Sequence, residues 1–417
     1  MSSVQSAESS SSSHAGTGFG FPSVARPSHV PEELVFDFDM YRDERIKDDI
    51  QLGFMSLHRD APDVFWTPRN GGHWMATRFD DVKTIGENPE VFSSVGQNLG
   101  PLSDGELALP PQNMDAPDHM KYRLLLLKFL SPSDLRKQEG FARKLAIELI
   151  EKLEGRNSCD FKKEVAMVLP VTVFMTMMQW DHSRLYEMID WVHDVIGSED
   201  HAVRAAAFER MSGFLRGVIQ DRLASPGDDP ISILLASKVD GQLVSPQRVL
   251  EMCYLLFTAG LDTVTNAMTY SMHYLATDPA MQQRLRANPG QLPQAIEEFL
   301  RRFSFPNTVR RVKQDATLGE ARLKAGDLIV CSLAAASNDD RKVPHPGKID
   351  LDRPSSPHVA FMAGPHTCIG APLARTELRV LFEEWFKRMP DVSLAPGFKP
   401  VTHGGGVPQI DALQIVW

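Results

Sequence analysis

Apolar residues recur at helical spacing over 134–154, 183–224, 245–277 and 279–303, and the pattern predicts a helix in each stretch. Two short stretches, 72–77 and 327–332, read as strands. The 245–277 stretch has the clearest ends. Ser245 can cap it, Pro246 suits its first turn, and Asp278-Pro279 stops it. At 1.5 Å per residue such a helix runs about 50 Å, enough to cross a whole domain. A further stretch with helical spacing, 371–378, follows a glycine-punctuated loop. Neither an internal repeat nor an interdomain linker interrupts the pattern. The expectation is a mainly α chain with small β-sheets, one domain over 31–417, and a disordered tail over 1–30 with a serine run from Ser9 to Ser13.

Composition narrows the function class. The 417 residues are 42% apolar and carry a net charge of −10, which argues against nucleic acid as a partner. No apolar run approaches the ~20 residues of a membrane span, and the N-terminal stretch lacks a charged-then-apolar signal pattern. The four cysteines, Cys159, Cys253, Cys331 and Cys368, have no CxxC spacing, which points to a reduced, cytoplasmic setting without disulfides or a zinc site.

One of those cysteines stands apart. Residues 361–370 read Phe-Met-Ala-Gly-Pro-His-Thr-Cys-Ile-Gly, a tight loop that presents Cys368 at the mouth of the helix that follows. Unpaired N–H groups and the helix dipole there favour a thiolate. The alternative is a small core cysteine. Inside the long helix, Thr258-Ala259-Gly260-Leu261-Asp262-Thr263 places an acid and a hydroxyl in an apolar run, at a cost of a few kcal/mol unless they find partners or act. Gly260 leaves room for close approach, and Thr263 can bond the Ala259 carbonyl. A kinked core helix with a back-bonded threonine would show the same residues.

Phe361-x-x-Gly364-x-x-x-Cys368-x-Gly370 resembles the haem-thiolate signature of the cytochrome P-450 superfamily. Residues 70–78, 261–266 and 297–303 are similar to the camphor 5-monooxygenase group, and the similarity runs from about residue 35 to Trp417. The resemblance implies a triangular α-helical prism, with haem b between the long helix and the Cys-loop helix. It implies that Cys368 is the axial iron ligand, set by Phe361, Gly364 and Gly370, with Ala259 and Gly260 against the opposite haem face. His119, Arg123, Arg310 and His366 would meet the propionates, since an arginine fork suits a carboxylate. Asp262 and Thr263 match the family's acid–alcohol pair beside the dioxygen site. In camphor-type relatives basic side chains from a neighbouring helical region hold that acid. Here no Lys or Arg lies between Arg184 and Arg204, which leaves His193 or His201 as substitutes. Glu298 and Arg301, joined by Arg353, match the family's structural clamp.

Substrate identity departs from the camphor pattern. The ketone-binding tyrosine corresponds to Leu107, flanked by Ala108 and Leu109. Asn98, Gln112, Leu255, Thr258, Pro306, Gly406 and Val407 match other pocket positions. A mainly apolar pocket suits a compact terpenoid (a cineole-like or camphor-like monoterpenoid, or an ionone-like norisoprenoid). Electrons would come from NAD(P)H through a reductase and a [2Fe–2S] ferredoxin docked near Arg123, Lys121 and Lys128. Two other functions share these residues: a peroxide-driven peroxygenase, which does not need the Asp262/Thr263 pair, and a non-catalytic haem-thiolate binding protein.

Overall fold

The computed structural model describes residues 22–96, Leu99, 109–197 and 200–417. The fold is mostly helical with small sheets. Its centre is the helix Pro246–Thr277, whose start is capped as the sequence predicts: Ser245 Oγ accepts the Arg248 N–H at 3.2 Å. Asp278 ends it and caps the next helix, Pro279–Ala287, by accepting the Met281 N–H at 2.9 Å. Leu185–Gly197, His201–Ala224, Val168–Met177 and the Cys-loop helix Ala371–Arg388 all pack on the central helix. Phe257 from its middle meets Phe174 edge-on at 5.8 Å, within a core that includes Trp180 and Trp385. Each such side chain contributes about 1.5–3 kcal/mol by leaving water.

Two predicted helices are broken. The 183–224 stretch forms two helices, Leu185–Gly197 and His201–Ala224, the second capped by Asp200, whose side chain accepts the Ala202 N–H at 2.7 Å. Helical spacing continues across the cap, so periodicity alone misses the break. The 279–303 stretch divides at Asn288 and Pro289, with Leu292–Arg302 as its second helix. A proline inside helical spacing ends the preceding helix.

The larger sheet has the strand order Val64–Thr67, His73–Ala76, Leu328–Ser332, Asn307–Val312, Phe92–Ser93. Its central pair, Leu328–Ser332 on His73–Ala76, is parallel, with Ile329 opposite Trp74; the other pairs are antiparallel. Arg310 sits opposite Ile329 in the fourth strand, which faces the Cys loop side of the chain through the bond from Thr308 Oγ1 to Met362 Sδ. Part of the stretch assigned to the tail lies on this sheet's border. The Val24 N–H donates to the Pro68 carbonyl at 3.0 Å, Val30 is buried, and His29 Nε2 sits 3.0 Å from Asp327. Residues 22–30 thus touch the sheet at a few points, one of them a contact that spans 298 positions, while most of their side chains are exposed.

Beneath the site lies a buried ion pair. Glu298 and Arg301 are fully buried and share a bidentate bond at 2.8 and 3.0 Å, and Arg353 Nε lies 3.3 Å from Glu298. Arg301 also donates to Asn338 Oδ1 and to the carbonyls of Pro346 and Lys348. Glu298 Oε2 accepts the Asp350 N–H at 2.9 Å. The pair thus ties one helix to the meander that leads into the Cys loop.

Candidate active site

The Cys loop holds its shape with short local bonds. The Cys368 N–H donates to the Phe361 carbonyl at 3.0 Å, and both the Thr367 N–H and hydroxyl donate to the Gly364 carbonyl. Met362 and Gly364 adopt positive φ, of 61° and 75°. Glycine is required at 364, because a Cβ there would overlap the Gly86 carbonyl. Gly86, in the helix Phe79–Glu87, also has no room from the other side: its Cβ would lie 2.7 Å from the Ala363 carbonyl.

Cys368 is the exposed cysteine among four; Cys159, Cys253 and Cys331 are buried. The amides of Gly370 and Ala371 pull its thiol toward ionisation, with Arg123 and Arg375 adding to them. Burial of the group outweighs them and raises its pKa, so the dipole argument alone overstates the thiolate. Cys368 is exposed on one side and enclosed by protein on the others. A coordinating metal deprotonates such a thiol outright.

Four groups able to carry positive charge gather beside the loop. Arg123, in the helix Asp118–Leu127, donates to the Thr367 carbonyl at 2.5 Å. The His119 and His366 rings lie 4.0 Å apart at 40°. Arg310 is buried and donates to its neighbour's carbonyl, Val309 O, at 2.8 Å. Burial depresses all four, and neighbouring cations add to it at the histidines: the His366 pKa falls to about 3, from burial first and then from His119 and Arg310. Those of His119, Arg123 and Arg310 are lowered by burial as well. His119 Nε2 is buried without a hydrogen-bond partner among the described residues. A cluster of this kind fits a group that brings two carboxylates.

The central helix is open at its middle. Ala259 and Gly260 are exposed in the middle of a helix whose flanking turns are buried, and a Cβ on Gly260 would meet nothing within 4 Å. Thr263 Oγ1 donates to the Ala259 carbonyl at 2.9 Å, as expected from its position. The thiol, the exposed helix centre and the cation cluster together fit a flat, dianionic, iron-bearing macrocycle, and haem is such a group.

Asp262 accepts from Asn266 Nδ2 at 3.0 Å. Burial raises its pKa, and the first of the opposing charges is Lys162, with His193 a smaller one. Lys162 begins a single wide turn, Lys162–Ala166, and is itself buried. Sequence reasoning searched only the stretch between Arg184 and Arg204, so it missed a cation 100 positions upstream. His193 does lie at this site, whereas the His201 side chain lies outside the described residues. Arg375, in the Cys-loop helix, was also missed; it forks onto Glu297 at 2.6 and 2.9 Å and covers the Phe361 ring at 4.6 Å.

The substrate positions are only partly gathered. Asn98 and Leu107 lie outside the described residues. Leu109 and Val407 pack on the main core, Leu255 is buried, and Gln112 is exposed. Pro306 and Gly406 are brought together by the Asn307 N–H, which donates to the Gly406 carbonyl at 2.9 Å. The Thr258 hydroxyl proton is spent on the carbonyls of Tyr254 and Leu255, at 3.0 and 3.3 Å, which leaves only acceptor capacity.

The family model described as Cytochrome P450 matches residues 140–389. A relative named Probable cytochrome P450 127A1, from Sinorhizobium fredii, is 30% identical over 400 residues, covering 94% of this chain and 96% of its own. A methyl-branched lipid omega-hydroxylase of Mycobacterium tuberculosis is 31% identical over 83% of this chain and 86% of its own. The crystal structure of CYP101J2 superposes with a TM-score of 0.86 at 32% identity, over 94% of this chain and 99% of that one. That of CYP101C1 gives 0.87 at 29% identity, over 94% and 100%. On these matches the chain belongs to the cytochrome P450 family, a haem-thiolate monooxygenase that carries haem b on a cysteine thiolate.

Proposed function

We propose that this enzyme hydroxylates a compact apolar terpenoid, with Cys368 as the axial ligand and electrons delivered by a [2Fe–2S] ferredoxin and its NAD(P)H reductase. The observation that carries the ligand assignment is the gathering of His119, Arg123, Arg310 and His366 beside the one exposed thiol among the four cysteines. The chain acts as one catalytic domain over 31–417. Bound haem supplies the activation of dioxygen and the oxidation of an unreactive C–H bond.

The protein's own residues do the rest. Arg123, Arg310, His119 and His366 pair with the propionates. Phe361, Gly364 and Gly370 fix the thiolate, and Ala259 and Gly260 let the ring approach the long helix. Thr263, its proton on the Ala259 carbonyl, offers its hydroxyl oxygen as an acceptor at the dioxygen side, and Asp262 passes protons to that region through water. Thr263→Ala removes the hydroxyl without a large change in volume. Consumption of reduced donor then continues, product per electron pair falls by about tenfold or more, and hydrogen peroxide accounts for the difference. Unchanged product yield would instead favour the peroxide-driven reading.

Leu255, Thr258, Pro306, Gly406 and Val407 form the substrate wall in this reading, completed by Asn98, Leu107, Leu109 and Gln112. With the Thr258 proton already used, the described part of the wall favours shape over hydrogen bonding. Regioselectivity then rests on how tightly the substrate is held. For the redox partner, support comes from exposed Met120, Leu124 and Leu127 beside exposed Lys128 on the Arg123 side. Lys121 contributes less, because Asp118 and Asp240 hold it at 2.9 and 2.6 Å.

Titration of the ferric protein with camphor, 1,8-cineole, α- and β-ionone and a fatty acid tests the substrate class. A low-spin to high-spin shift with a terpenoid alone is the expected result. A shift with the fatty acid alone would replace the terpenoid by a lipid chain, the class named for the mycobacterial relative.

A further inference from the structure

Asp262 does not face its cation directly. Between Lys162, His193, Asp262 and Thr265 lies a cavity of about 20 Å³, walled otherwise by Met167, Val171, Ile189, Val192 and Leu261. That volume holds one water, and a water there has three or four polar groups around it. The wide turn that carries Lys162 is pinned to the long helix by Thr265 Oγ1, which donates to the Ala166 carbonyl at 3.1 Å.

The Lys162 ammonium is itself tethered from the far side. It donates to Ile410 O at 2.6 Å and to Gln409 Oε1 at 3.1 Å, both in the strand Gln409–Ile410. An ammonium has three protons, so one remains for a water in the cavity. A buried charge held by two neutral acceptors gains further from a carboxylate within reach.

We propose that Lys162 is the positioning cation of Asp262, acting through a one-water cavity by which Asp262 regains its proton after each delivery toward Thr263. This rests on the relay role given to Asp262 above. The water gives a proton to an Asp262 carboxylate oxygen and takes one in the same movement from solvent on the side of exposed His193, so that no hydroxide is left; the Lys162 ammonium keeps its protons throughout. The other groups facing Asp262 are Asn266, on its own helix, and Tyr270, one turn further. Asp160 and Asp411 face Lys162 from the outer side. Removing the cation takes away the largest of the groups that oppose the burial of Asp262, so the carboxyl holds its proton to higher pH.

The test compares Lys162→Gln, which keeps a donor for Ile410 O and loses the charge, with Lys162→Met and with the parent. The first readout is the Asp262 carboxyl infrared band in the haem-loaded protein, identified as the band missing in Asp262→Asn and followed against pH. The expected midpoint rises by about one pH unit in both Lys162 variants, equivalent to tenfold in proton affinity. Product yield per electron pair should fall several-fold, with its alkaline limb displaced upward by a similar amount. Lys162→Arg should restore both readouts in part. An unshifted band in Lys162→Gln, alongside a defective Asp262→Asn, would overturn this inference alone. Full product yield in Asp262→Asn would overturn the relay and the inference with it.

Discussion

Cys368→Ala is expected to abolish the haem-thiolate spectrum and all monooxygenase turnover. The reduced, carbon-monoxide-treated protein should lose the red-shifted Soret band that thiolate ligation gives, and haem retention on desalting should fall sharply. The other three cysteines cannot substitute: all are buried, and burial drives the thiols of Cys159 and Cys253 up to about 12 and that of Cys331 to about 11. Burial denies those three thiols the access that an iron ligand needs, whereas Cys368 is exposed. A normal thiolate spectrum in Cys368→Ala would move the ligand to another cysteine and remove the basis of the site described above.

The second large effect is structural. Arg301→Ala takes the bidentate partner from buried Glu298 and leaves it only Arg353 at 3.3 Å and the Asp350 N–H, and breaking such a pair costs up to about 3–5 kcal/mol. It also strips donors from the carbonyls of Pro346 and Lys348 and from Asn338. Each unsatisfied buried acceptor adds about 1–3 kcal/mol. Holoprotein yield should collapse, and any soluble protein should unfold at much lower denaturant. Replacing both partners, Glu298→Leu with Arg301→Met, separates the two costs. If the charge were the whole story the double variant would recover full stability; the carbonyls and the Asp350 N–H left behind predict only partial recovery. A near-neutral Arg301→Ala would show that the clamp does not hold the meander.

These effects also explain which parts of the site could be read from the chain. The Cys loop and the Thr258–Thr263 segment are local: spacing within ten residues carries the pattern, and the structure keeps it. The long helix was legible because its cap, its proline and its stop all agree with its periodicity. The break between Gly197 and His201 was not, because an aspartate cap in a helical pattern looks like one more polar position. Lys162 was hidden for a different reason. Its role depends on a turn, a helix and a C-terminal strand meeting at one point, and only the fold brings 162, 262 and 410 together. The lost donor of Thr258 is likewise a backbone fact that composition does not carry.

The contact of Gly86 with the 363–364 turn gives the haem pocket a mutational footprint outside its own lining. No candidate site residue lies in the helix Phe79–Glu87, yet that helix sets the height of the loop that presents the thiol. Two backbones in contact have no side chain to shorten in compensation, so a methyl group gained at either glycine cannot be absorbed by its partner. In a library selected only for bound haem, position 86 would therefore emerge as intolerant alongside the signature glycine, while its exposed neighbours on the same helix drift freely.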